Sequence, residues 1–77
     1  MNRYFYTFGS DAGFPYHFGW VEVLAEDWNQ ANTKFRSRFP DRHENIINCA
    51  FFYDEKKWGE MNPETNWPGW KCFEVIK

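Results

Sequence analysis

Residues with the chemistry to bind or react gather in three places. The first is Arg36, Arg38, Asp41, Arg42, His43 and Glu44, packed into one short stretch. Guanidinium forks match phosphate and carboxylate geometry, so these arginines suit a nucleic-acid backbone or an acidic partner surface. His43 beside Asp41 or Glu44 is of the type that serves as a general base. The plainer reading is a solvated helix end whose arginines satisfy the last carbonyls. The second group is His17, His43, Cys49 and Cys72. Zinc sites bring at least one close ligand pair, such as CxxC or HxxxH, and this chain has none. The cysteines therefore read as buried free thiols that pack as small hydrophobes, on neighbouring strands, with no metal or cofactor expected. The third group is aromatic: Phe14, Pro15, Tyr16, His17 and Phe18 in one irregular stretch, and Trp67, Pro68, Gly69 and Trp70 in another. Loops run over the surface, and Trp, Tyr and Arg dominate binding hot spots. The same rings can stack bases of single-stranded nucleic acid, or fold back to cap a small core.

Composition sharpens the third reading. Aromatic residues make up 23% of the 77, with nine Phe, five Trp and four Tyr. A buried ring removes roughly 150–250 Å² from water, so about half of them would supply an adequate core. The surplus points to a binding surface, or to a homodimer that hides it. The mean hydropathy of −0.79 is no objection, because hydropathy scales rank Trp and Tyr as polar. A net charge of −2 argues against a dedicated nucleic-acid binder, although four basic residues face one acid between Lys34 and Arg42. There is no Gly-rich phosphate loop, no GxSxG and no Cys–His signature, so a non-enzymatic binding protein is expected. No apolar run approaches the roughly 20 residues of a membrane span. The start, MNRYFYTF, has no secretory pattern. Together these predict a cytoplasmic protein without membrane contact.

The stretch that must position these groups is Ala25–Pro40. Asp27 as N-cap, with Gln30 three residues on, has capping-box spacing. Trp28, Ala31, Phe35 and Phe39 share one helical face, and Pro40 ends the helix. A run of roughly 13 residues gives about 20 Å. Alternating patterns predict strands at Asn2–Phe8, Gly19–Ala25, Ile46–Tyr53 and Trp70–Ile76, the first with rings on both sides. Val21, Val23 and Ala25 should face the helix. Strand, helix, strand passage predicts a third strand parallel to the second. A short helix over Asp54–Met61, capped by Asp54 and pinned by Trp58 and Met61, and a loop over Asn62–Gly69 complete the chain. The sum is a single α+β domain over 1–77: a mostly antiparallel sheet of about four strands, one long helix packed on one face, order ββαβ(α)β.

YFYTFGSD, FRSRFPDRHEN and INCAFFYDEKKW stand in this order along the chain. Together they resemble small uncharacterised proteins encoded by phages, prophages and conjugative elements of Firmicutes. That group has no assigned activity, so it lends no functional residues. The resemblance implies a cytoplasmic accessory protein of a mobile element. Such proteins are often host-directed binders, inhibitors of bacterial defence systems among them. The residues themselves lead to a protein partner contacted through Arg36, Arg38, Arg42, His43, Phe14, Tyr16, His17, Trp67 and Trp70. Nucleic-acid binding through the arginines and exposed rings is the alternative, and a small-ligand site with an aromatic pocket the third.

Overall fold

Asp27 starts helix α1, Trp28–Arg38, with extended backbone and a carboxylate that accepts from the Gln30 amide at 2.8 Å. Gln30 reaches back one residue further than a capping box has it: its side-chain oxygen accepts from the Glu26 amide at 2.8 Å. The helix ends where Phe39 turns extended ahead of Pro40. With 11 residues it is a short helix, about 16 Å long, and not the long one expected. Ala31, Phe35 and Phe39 are buried and Trp28 half-buried.

The computed structural model describes residues 1–77. Strands β1 (Asn2–Phe8) and β2 (Gly19–Ala25) precede α1. After it come β3 (Phe51–Asp54), α2 (Glu55–Met61), α3 (Pro63–Asn66) and β4 (Lys71–Ile76). The architecture is α+β, with one four-stranded sheet ordered β3-β1-β2-β4. β1 runs antiparallel to β2 and to β3, while β4 lies parallel to β2. The sheet is thus mixed, not mostly antiparallel, and the element order is ββαβααβ rather than ββαβ(α)β.

Three boundaries differ from the sequence pattern for local reasons. The third strand begins at Phe51, not Ile46. Residues 46–50 are irregular because Asn45 adopts a left-handed φ of 63° and the Ile46 amide turns back onto the His43 carbonyl. β3 does run in the same sense as β2, but β1 lies between them. The stretch Asn62–Gly69 is not all loop. Asn62, at φ 49°, ends α2 and begins α3, where Pro63 takes the first position, a place its fixed φ suits. The last strand starts at Lys71, one residue late.

The strand order explains why one helix does not suffice. From β2, α1 carries the chain leftward past β1 to β3. From β3, α2 and α3 carry it rightward past β1 and β2 to β4. Two parallel crossovers of one hand that run in opposite directions must pass over opposite faces. Both faces are therefore covered. On one, Tyr4, Tyr6, Phe8, Val21, Val23 and Ala25 meet α1. On the other, Phe5 and Trp20 meet Trp58 of α2, with Tyr53, Met61, Trp67 and Trp70 around them. The Phe5 and Trp58 rings stack at 4.3 Å, tilted by 1°. The Asp54 carboxylate caps α2 by accepting from the Lys57 amide at 2.8 Å.

β4 can approach β2 only because residue 19 is glycine. A Cβ there would run into the Lys71 carbonyl oxygen and the Phe73 ring. Cys49 precedes one edge strand and Cys72 lies on the other, so the thiols do not share neighbouring strands.

Candidate binding site

The arginine-rich stretch folds onto carboxylates of its own chain. Arg36 Nε donates to Asp41 at 3.0 Å. Arg38 Nε donates to Glu74 at 2.9 Å, and its guanidinium sits 4.7 Å from the Phe39 ring centroid. Arg42 donates to both Asp11 oxygens at 3.0 and 3.2 Å while lying over Phe14. These hydrogen bonds, with one from the Gly13 amide, hold the Asp11 carboxyl down at about 2. The pairing raises Arg42 in turn.

Phe14, Tyr16 and His17 belong to this same corner. The Tyr16 ring stacks on Phe73 at 4.6 Å, and its hydroxyl donates to the second oxygen of Glu74 at 3.0 Å. That bond, and then burial, raises the Tyr16 phenol. Phe14 and Tyr16 both pack edge-on against Phe8. The His17 Nε2–H donates to the Asp11 carbonyl at 2.9 Å. His43 stands exposed in the turn to Ile46, while Asp41, its prospective partner, is taken by Arg36. Through the half-buried Phe14 and Tyr16 the loop of Gly9–Phe18 lies against the α1 side of the core, while His17 and Phe18 at its end are exposed. Cys49 is half-buried on that side, and burial pushes its thiol up to about 12; Cys72 is exposed on the edge strand, so the two are not both the buried thiols expected.

The second aromatic cluster lies on the opposite face and stays open. Trp67 packs edge-on against Trp58 at 5.8 Å and against Trp70 at 5.0 Å. Neither ring is fully covered. Together with Phe51, Tyr53 and Pro68 they wall a groove of about 450 Å³, floored by Thr7, Gly9 and Ala50. Asn66 completes the lining. Its amide donates to the Met61 carbonyl at 2.7 Å, which leaves its oxygen able to accept. The lining contains no Asp, Glu, Lys, Arg or His.

One residue of this region, Phe51, escaped the sequence reading as a site residue, and Phe18 of the first aromatic stretch turns here, away from the rest of its group. Phe51, 65% exposed on the short edge strand, lines the groove. Its alternation with Phe52 and Tyr53 marks a strand, but nothing local marks an edge. Phe18 is 52% exposed and holds φ at 57°, with its ring edge-on to Trp70 at 6.2 Å. A bulky side chain in left-handed backbone is strained, and such strain gathers at functional sites.

No helix is long and apolar enough to cross a membrane. In comparisons with known proteins, no family model, no curated protein and no solved structure matches the chain.

Proposed function

We propose that this chain is a non-enzymatic, cytoplasmic protein-binding protein that engages its partner through the tryptophan groove and the adjoining β3 edge. The host-directed role implied by the resemblance, inhibition of a defence system included, belongs to the same proposal. One observation carries it. Trp67, Trp70, Phe51 and Tyr53 converge on an open groove without charge, and a partly exposed cluster of large rings is the composition of a binding hot spot. A chain this short gains from burying rings, yet these remain partly exposed. The corner around Arg42 supports the nucleic-acid alternative less, because Arg36, Arg38 and Arg42 each already face a carboxylate.

Affinity capture from a bacterial lysate with wild type, Trp67→Ala and Arg42→Ala tests the reading. The same partner should be retained by wild type and Arg42→Ala and lost by Trp67→Ala. Capture that survives Trp67→Ala but not Arg42→Ala moves the site to the arginine corner. A gel shift with DNA or RNA that weakens steeply with salt replaces the reading altogether. The groove volume also lies within the range of small-molecule sites, about 300–1,000 Å³, which favours a small apolar ligand as second reading. Native mass spectrometry of freshly purified protein checks that, and a spectrum without added mass counts against it.

A further inference from the structure

We infer that the free edge of β3 takes up an extended segment of a partner protein as a fifth strand, with one partner side chain seated in the tryptophan groove. This rests on the reading above and adds the conformation and chemistry of the partner.

The argument begins with how the protein treats its other strand edges. An edge strand leaves backbone groups free to pair with another chain, and charges or caps normally guard it. Where β1 runs on past the end of β3, the Glu55 carboxylate caps it by accepting from the Arg3 amide at 3.0 Å. The β4 edge carries Lys71 and Glu74, with Lys77 just beyond. β3 reads Phe-Phe-Tyr-Asp. It has no proline and no basic residue, and its one charge sits at the end that caps α2.

Both sides of this edge are furnished with rings. Phe51 and Tyr53 line the groove. Phe52, 46% exposed, points to the other side, edge-on to Trp28 at 5.3 Å. Alternate side chains of an added strand point to opposite faces, so each would meet a ring across the pair. In strand addition, main-chain hydrogen bonds give affinity and pockets for alternate side chains give specificity. The groove supplies such a pocket. A charged side chain entering it would give up part of its hydration to a lining without a counter-charge, so an apolar residue suits the seat better.

Size chooses between a folded partner and a short segment. Phe51 and Phe52 are 65% and 46% exposed, which leaves on the order of 200 Å² to cover at roughly 200 Å² per ring, and the half-buried Tyr53, Trp67 and Trp70 add at most about as much again. A stable interface between folded chains, a second copy of this one included, buries about 800 Å² on each partner. A four-residue edge with one groove fits a segment of about five or six residues, uncharged and apolar at alternate positions.

The experiment pans a random twelve-residue peptide display library against the full chain and then titrates synthetic copies of the selected peptides by tryptophan fluorescence. The expected peptides share an uncharged run with apolar residues at alternate positions. Methylating alternate backbone nitrogens of the peptide should weaken binding tenfold or more, a test that leaves the protein untouched. Phe51→Lys, at an exposed position, should keep the circular dichroism spectrum and weaken binding by a similar factor. Hydrogen exchange at Phe51–Asp54 should slow in the complex. Proline-rich peptides that tolerate methylation yet require Trp67 would overturn strand addition and leave the groove reading standing. Peptides indifferent to both Phe51→Lys and Trp67→Ala would sink the two together. No enrichment above background, or a dimer by light scattering that Phe51→Lys abolishes, would also overturn the inference.

Discussion

The corner built on Arg42 and the groove built on Trp67 start from similar material: a Pro-containing irregular segment rich in rings. They end differently because of what each finds nearby. At the corner, Asp11 and Glu74 are within reach of Arg42, Arg38 and Tyr16, and Tyr16 stacks on Phe73 and meets Phe8 and Phe39 edge-on. The segment folds down and its polar groups are engaged within the chain. At the groove, Trp67 and Trp70 lean on Trp58 and on each other, with no carboxylate or cation in the lining. The open side has nothing to close on it. In this protein the arginines of the corner are paired within the chain, while apolar surface at the groove is not fully covered.

The largest test of that contrast removes the ring under the groove. Trp58→Ala should cost about 3–5 kcal/mol, as for other large core truncations, and should release the α2 and α3 cover. In heteronuclear NMR, the signals of Trp67 and Trp70 should shift widely while those of Tyr16 and Phe73 move little. Equal disturbance at both regions would mean they are not separate units. Next is Gly19→Ala, which forces a methyl against the Lys71 carbonyl and Phe73. An overpacked position costs about 1–3 kcal/mol. Because β4 follows Trp70 and carries Phe73 and Glu74, this change should disturb both regions, and an unchanged melting temperature would remove glycine's role there.

A smaller and sharper test is Phe18→Gly. It relieves left-handed backbone strain of about 1–2 kcal/mol and deletes the ring beside Trp70. Stability should hold or rise while partner binding weakens. Falling stability with unchanged binding would make Phe18 a packing residue. The smallest effect is a titration at the corner. Arg42 holds the Asp11 pKa at about 2, below its ordinary 3.8. A depressed carboxyl stabilises fully above its unfolded pKa and loses that contribution as pH falls through its folded one. The carboxyl carbon NMR signal of Asp11 should move in a step centred near pH 2. Asp11→Asn should abolish that step, and a step at the ordinary 3.8 or above would contradict the pairing. The groove, lacking acids and bases, should show no change over this range.

Much of the fold was legible because its causes are local. The alternation of Tyr4, Phe5, Tyr6 and Phe8 gave rings to both sides of β1, and it is a central strand. Val21, Val23 and Ala25 face α1 as their spacing requires, and Asp27 and Asp54 cap the helices they precede. The candidate site was legible in part, through Trp67 and Trp70. Phe51 escaped because edge position depends on strand order; Phe18 stood among the candidate rings, and only its left-handed backbone was set by the fold around it.

Residue types and their periods fixed the elements, since helix and strand repeats and caps act over a few positions. Which arginine meets which carboxylate, which aromatic segment borders a groove, and which strand is left at the edge were settled only by tertiary structure. Those outcomes join residues as far apart as Tyr16 and Glu74, or Thr7 and Trp70, and depend on the opposite-face crossovers that bring them together.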